Sequence, residues 1–313
     1  MAMPTLLDIV KANGADGVAG LIEDAVKVHP EINVVPARTI KGLNYKTLVR
    51  TAYGRTTGSF RSANAGSVAI KGTYENRIVE CYILEARFEV DKSVAGSYED
   101  GAAAYIALEA SGVMEGELQG LASQFYYGSG NNAAGYPGLI QSYDATNMVV
   151  DAGGTTASTG SSVWFVRFGA KDVIWVWGES GKLEMSPVRV ESIVDPNDST
   201  KKFDGFVQTL YGRPGLQVGS TRSICRIKKL TEDSTKGLTD ARINAALAKF
   251  PAGLGPNACF MTQRSAAQLQ SSRTATTPTG ASAPFPTTIK GIDGQDIPLY
   301  VTEAISNTES LTL

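Results

Sequence analysis

Apolar residues return at close to helical spacing from Ala103 through Ile106, Ala110, Val113 and Leu121 to Phe125. This period predicts a long helix ending near Tyr127, where Gly128-Ser129-Gly130-Asn131-Asn132 stops it. Ser97 is the expected N-cap, with Glu99 and Asp100 as an acidic first turn that suits the helix dipole. The same helix carries Gly112, Gly116 and Gly120 at a spacing of four. A helical glycine costs about 1 kcal/mol relative to alanine. Three in register predict a broken helix, a tight seam inside one subunit, or a place where another chain approaches closely.

Upstream the period changes. Residues 1–40 read as an arm, with a short helix from Pro4 to Val10 and a second over 18–28 that stops before Pro30. Residues 31–38 read as extended. The stretch 43–50 is strand-like, and 73–90 is a longer strand region with β-branched and aromatic enrichment. Between them, 54–72 is rich in Gly, Ser, Thr and Arg and too poor in apolar residues to build a core. The unit reads as a long hairpin with a loose tip. A two-stranded hairpin is marginal alone in water, so it should be held by something else.

Downstream, 153–160 reads as a flexible connection. Strands are expected at 163–168, 173–177, 183–190, 203–211 and 223–228, with Gly169-Ala170-Lys171-Asp172 making the first two a hairpin. A helix over 239–250, a strand at 258–261, a helix over 264–272 and a strand at 297–301 close the chain.

Charge is partitioned along this scaffold. From Ser93 to Val166 there is no Lys or Arg. From Lys41 to Arg77 the balance reverses, with Lys41, Lys46, Arg50, Arg55, Arg61, Lys71 and Arg77 against Glu75 alone. A basic arm followed by a helix region bearing Glu99, Asp100, Glu109, Glu115 and Glu117 predicts copies that lie across one another. The candidate contact residues are therefore Arg50, Arg55, Arg61, Lys71, Arg77, Glu99, Asp100, Glu109, Gly112, Gly116, Glu117 and Gly120. The arm's aromatics Tyr45, Tyr53, Phe60 and Tyr74 also fit a nucleic-acid surface. The acidic helix in the same chain, and a net charge of -2, favour the reading of self-packing.

The 313 residues, 42% hydrophobic and 19% charged, suit a folded chain with a substantial core and two subdomains. No apolar run approaches the ~20 residues of a membrane span, and the N-terminus lacks the pattern of a secretory signal. Cys81, Cys225 and Cys259 form no zinc or redox spacing and read as free thiols. His29, the one histidine, has no nucleophile motif beside it. Gly178-Glu179-Ser180-Gly181 lacks the spacing of a nucleophile elbow. Asp195-Pro196-Asn197-Asp198-Ser199 opens like a calcium loop, but Thr200 and Phe206 stand where glycine and glutamate are needed, so it reads as a turn. Glu115 and Glu117 face different sides of a helix and make no acid/base pair. No enzyme chemistry, cofactor or metal is expected.

Arm, long hairpin, long helix and strand block, in that order, resemble the major capsid protein of tailed double-stranded DNA phages, the Hong Kong 97 fold. The closing part carries the resemblance furthest. The helix from Asp240 to Phe250, Ala258-Cys259-Phe260-Met261-Thr262-Gln263-Arg264, the helix through Leu269, the run Gly291 to Val301 and Asn307-Thr308-Glu309 are similar to that family's axial domain. No single motif is strict, although nearly the whole chain is covered. The strand block precedes the axial helices, which is similar to a permuted branch found among short-tailed phages. The resemblance implies an α+β fold with an N-terminal arm (1–40), an extended hairpin loop (41–92), a peripheral domain with spine helix and long strands (93–230) and an axial domain (231–313). It implies a shell subunit that forms pentamers and hexamers, assembled in the host bacterial cytoplasm. The implied partners are itself, a portal, a separate scaffolding protein, a cement protein and non-specific double-stranded DNA on the inner face, with no membrane. Some relatives weld subunits through a Lys–Asn isopeptide bond. Lys46 or Lys71 and Asn131 or Asn132 have the chemistry, but that bond is not expected here. The alternative is another virion structural or carbohydrate-binding β-rich protein, using the aromatic strands around Trp164, Trp175 and Trp177.

Overall fold

The computed structural model describes residues 3–13, 27–54, 57–179, 181–275 and 283–312. A short helix, α1 (Leu6–Ala12), begins where the Asp8 carboxylate accepts from the Thr5 amide at 2.8 Å and its hydroxyl at 2.7 Å. These bonds hold the Asp8 carboxyl below its usual range. Most of the second helix expected in the arm lies outside the described residues. The segment read as extended is divided: Glu31–Val34 makes a single turn, α2, and Ala37–Ile40 forms strand β1.

The hairpin is present as β2 (Asn44–Ala52) and β3 (Thr73–Glu80), antiparallel with Lys46 opposite Ile78 and Arg50 opposite Tyr74. The strand region read as running to Val90 breaks at Cys81–Ile83, and β4 (Leu84–Asp91) enters a different sheet. The break has a cause: the Tyr82 amide leaves the ladder and donates to the Pro214 carbonyl at 2.8 Å.

Asp91 then caps a single-turn helix, α3 (Lys92–Ala95), accepting from the Ser93 amide at 2.7 Å. Ser97 is not the cap of the long helix; its hydroxyl donates back to the Ser93 carbonyl at 3.0 Å. Glu99 and Asp100 lie in the following turn. The long helix α4 (Ala102–Tyr127) starts after Gly101, whose φ of +88° only glycine adopts easily, and its first turn holds no acidic residue. It ends where the period predicts, at Gly128. A single turn, α5 (Leu139–Ser142), packs back on it, and β5 (Val149–Asp151) follows.

The next strands are β6 (Ser161–Val166), β7 (Val173–Gly178), β8 (Glu184–Met185), β9 (Arg189–Asp195), the 15-residue β10 (Asp198–Gly212), β11 (Pro214–Val218) and β12 (Ile224–Leu230). The chain closes with α6 (Asp240–Leu247), β13 (Ala258–Met261), α7 (Gln263–Ala275), β14 (Thr288–Lys290) and β15 (Asp296–Val301). The six-stranded sheet has the order β14-β15-β13-β6-β12-β5, so it takes strands from both sides of residue 230. A three-stranded sheet is ordered β1-β7-β11, and β4, β10, β8 and β9 form a third.

The expected hairpin between β6 and β7 does not form. Both edges of β6 are taken, by β12 and β13, so β7 has no ladder left to join and pairs with β1 and β11 instead. The turn between them is tight, with the Asp172 amide donating to Gly169 at 3.0 Å and Asp172 paired to Arg167 at 2.7 Å.

The period of two in β6 divides the core. Val163 and Phe165 face a cluster with Cys225, Ile227, Cys259, Leu247 and Leu269, beneath α6 and α7. Trp164 and Val166 face the other way, toward Phe125, Tyr126, Trp175 and Phe260. A third cluster joins Ile9, Phe88, Val90, Ala95, Tyr105 and Ile106. Thus α4 plugs into one core by its first turns and another by its last. Between residues 107 and 120 no residue is fully buried, and Val113 packs only partly against the third cluster; the span is roughly 21 Å at 1.5 Å per residue.

Candidate assembly surface

The hairpin shows two unlike faces. On one, Val79 is buried, the Tyr45 hydroxyl donates to Gln217, and the Arg77 guanidinium donates to the Gly219 carbonyl at 3.3 Å. Arg38 lies over the Tyr45 ring at 4.2 Å. This face is how the core holds an otherwise marginal ribbon. The opposite face carries Lys46, Leu48 and Arg50 across from Ile78, Asn76 and Tyr74. Leu48 is 70% exposed and Ile78 56%, although both are strand-forming apolar residues. At the tip, Tyr53, Phe60, Val68 and Ile70 are exposed as well.

The predicted cations are placed on this ribbon in different ways. Arg50 donates to the Tyr74 hydroxyl at 2.9 Å and sits over the Tyr53 and Tyr74 rings at 5.4 and 5.1 Å. Arg61 donates to the Ala65 carbonyl at 2.6 Å, and Lys71 is exposed. Arg77 is occupied at the stem, by Gly219 and by Glu75 at 3.6 Å. Arg55 lies outside the described residues.

On α4, glycine does not break the helix, which runs unbroken through Gly112, Gly116 and Gly120. A methyl group added at any of the three meets nothing within 4 Å beyond the helix's own backbone and neighbours. The glycines therefore make no seam inside this subunit. Beside Gly116 and Gly120 lies a groove of about 250 Å³, lined also by Lys27, His29, Gln119 and Glu303. Glu115 accepts from Gln119 at 3.3 Å and lies 3.7 Å from His29 Nδ1, which donates to the Lys27 carbonyl at 2.6 Å. Among the described residues, neither Glu109 nor Glu115 nor Glu117 forms an ion pair with a hairpin cation. Glu99 and Asp100 are exposed in the turn before the helix. Asn131 bonds Gln124 and Gly120 in its own subunit, at 3.0 and 3.4 Å.

The aromatic strand block is core, not a platform. Trp164 and Trp175 are buried, and Trp177 stacks on Trp175 at 6.0 Å. A carbohydrate surface built on them is ruled out by that burial.

Two buried polar junctions tie the chain ends to the end of α4, and nothing in their spacing announced them. Glu31 is fully buried and accepts from the Tyr126 hydroxyl at 2.5 Å. Burial pushes the Glu31 carboxyl up, with the Thr302 and Tyr126 hydroxyls opposing, and burial with the nearby carboxylate pushes Tyr126 up too. Next door, Tyr127 donates to Glu309 at 2.5 Å, and Ser162 donates to the same oxygen at 2.7 Å. The other Glu309 oxygen pairs with Arg226 at 3.0 Å, both side chains being 3% exposed or less. The visible signal was Arg226 itself, a cation set between Cys225 and Ile227 ahead of Lys228 and Lys229 in β12.

Cys225 and Cys259 flank Phe165 across the sheet and are buried free thiols; burial pushes Cys225 up to about 12. Among the described residues no group of three or more His, Cys, Asp or Glu is placed to hold a metal, and no helix is long and apolar enough to cross a membrane.

Comparison with known proteins bears on these surfaces. The family model described as Major capsid protein GP7 matches residues 16–312. Among solved structures, that of bacteriophage Epsilon15 aligns at TM-score 0.76 and 20% identity, covering 99% of this chain and 98% of that one. The bacteriophage JBD30 capsid aligns at TM-score 0.50 and 12% identity, covering 97% and 99%. Among curated proteins, no sequence matches. The fold is thus the Hong Kong 97-like capsid fold, and the family match covers nearly every residue from the arm to the closing strand. The chain belongs to the family of the major capsid protein GP7, the shell subunits of phage virions.

Proposed function

We propose that this capsid subunit assembles as pentamers and hexamers of an icosahedral shell, and that the hairpin of one copy lies across α4 of the next. The carrying observation is the middle of α4: a stretch with no fully buried residue, whose glycines leave open space in their own subunit. Isolated helices of this polarity gain most of their stability from packing. An exposed, glycine-bearing spine therefore needs a cover from outside. The hairpin's free face supplies one, with Leu48 and Ile78 for contact area and Arg50, Arg61 and Lys71 for charge opposite Glu109, Glu115 and Glu117. Arg77 and Arg55 join this reading as stem and tip cations, and Glu99 and Asp100 as acids at the mouth of the helix.

The work of the chain is structural rather than catalytic. Family membership leads us to infer the further partners: scaffolding, portal and cement proteins, and packaged double-stranded DNA lying non-specifically on the inner face. Assembly in the bacterial cytoplasm follows from the same inference. In this scheme 1–40 is the arm, 41–92 the hairpin loop, 93–230 the peripheral unit with the spine, and 231–313 the axial unit, whose sheet also takes β5, β6 and β12 from before residue 231.

Gly116→Leu tests the contact. Glycine is about 0.8–1.0 kcal/mol worse than alanine in a helix and leucine ranks next to alanine, and a Cβ at position 116 meets nothing in the subunit beyond its own helix. The unassembled variant should be at least as stable as its parent and should form no shells by sedimentation and negative-stain imaging. Normal shells from Gly116→Leu would remove α4 from the interface.

A further inference from the structure

We infer that the hairpin is aimed by a glycine pivot at its base, Gly215 of β11 and Gly178 of β7 closing on Gly42 and Glu80–Cys81, and that copies seat on one another only with this pivot closed. The inference rests on the reading that the hairpin reaches a second copy.

Both legs of the hairpin leave the core at this point. A methyl group on Gly215 would lie 2.4 Å from the Glu80 carbonyl oxygen and 3.2 Å from the Cys81 Cα. These are backbone atoms, so no rotamer change relieves the clash. On Gly178 it would lie 3.1 Å from the Gly42 carbonyl oxygen and 3.3 Å from the Cys81 Cβ. Neither glycine has a positive φ, so alanine can adopt both backbones, and the only objection to it is the neighbouring chain. Glycine here serves close approach rather than turning.

When a methyl group is forced in, the hairpin is the part that gives. β11 is laddered to β7 along its whole length, from Pro214–Trp177 to Val218–Val173, and β7 is held on its other side by β1. The hairpin base is held to this frame by far less: the Tyr82 amide to Pro214 at 2.8 Å, buried Val79, and the Tyr45 and Arg77 contacts. The nine residues of β2 span about 30 Å at roughly 3.3 Å per residue, so a tilt of about 5° at the base moves the far end by about 2.5 Å. Interface cores pack as densely as protein interiors, and a displacement of that size is more than such a contact absorbs.

Cys81 sits in the pivot and reports on it. It is partly exposed, its Sγ lies 3.8 Å from the Val176 carbonyl, and the other two thiols are fully buried. The test uses the full chain as parent, Gly215→Ala and a control, Gly66→Ala, whose added methyl meets nothing. Ellman's reagent measures thiol labelling of unassembled protein, and sedimentation with particle imaging measures shells. Gly215→Ala should label one thiol at least five-fold faster and lower shell yield at least ten-fold, with Gly66→Ala unchanged in both. Parental labelling in Gly215→Ala overturns the pivot, and so does faster labelling with shells of normal yield and size. If Gly215→Ala exposes all three thiols, it has unfolded. Gly178→Ala, whose contacts ask for only a few tenths of an ångström, then decides by the same two readouts. A parent that forms no shells would refute the assembly reading instead, and the labelling arm would still judge the pivot.

Discussion

Glu309→Gln removes the charge that neutralises Arg226 at the centre of the molecule. Arg226 is 1% exposed, stands 5.1 Å over the Trp164 ring, and has Glu309 as its charged partner at 3.0 Å. Two of its nitrogens, Nε and Nη1, already lack hydrogen-bond partners, so no neighbouring acceptor waits to take over. Breaking a buried pair from one side costs about 3–5 kcal/mol, because the remaining charge stays desolvated. Against a total stability of about 5–15 kcal/mol this is a large fraction. At roughly 2–4 °C per kcal/mol for a chain of this class, the melting temperature should fall by at least about 6 °C. Glutamine keeps the shape and can still accept from Tyr127 and Ser162, which isolates the charge. Thermal and urea unfolding of the unassembled subunit is the assay, since assembly would add stability by mass action. The double variant Arg226→Met/Glu309→Gln should recover most of the loss, because no charge then stays desolvated and glutamine still accepts from Tyr127 and Ser162. A loss under about 1 kcal/mol for Glu309→Gln, or no recovery in the double variant, would refute the account of a core dependent on this pair.

Charge reversal at Arg61 and Lys71, which leaves the stem contacts of Arg77 intact, should impair assembly without unfolding the subunit. Reversing Glu117 to Lys should partly restore it. Single exposed pairs contribute only about 0.2–1 kcal/mol, so the effect should grow at low salt and shrink at high salt; reversal without rescue would instead indicate a nucleic-acid contact. For Glu31, burial raises the folded-state value above the unfolded one, so its stabilising contribution is full below the ordinary carboxylate range and is lost as pH rises through the raised value. Glu31→Gln should flatten the fall of stability with rising pH and gain on the parent at the alkaline end; superimposable pH profiles would contradict this. Gly116→Leu should raise the unassembled subunit's midpoint slightly while abolishing shells, a separation of folding from assembly that a core glycine could not show.

Elements whose signal is local were legible along the chain. The end of α4 at Gly128, the ribbon of β2 and β3, and the positions of α6, β13 and α7 follow from period, glycine and β-branching, which act within a few residues. The order of these elements was enough to point to the capsid family. Partnership was decided only in three dimensions. β6 and β7 look like a hairpin until β12 and β13 occupy both edges of β6. Ser97 looks like a helix cap until Asp91 caps an earlier turn and Gly101 takes the left-handed backbone. Trp164 and Trp175 look like a binding platform until sheet and helix close over them. Arg226 and Glu309 are 83 residues apart, and Glu31 meets Tyr126 across 95, distances at which spacing carries no information. Local propensity names a segment's conformation, whereas edges, burial and ion pairing depend on which distant segment arrives, and that is set by the packing of the whole chain.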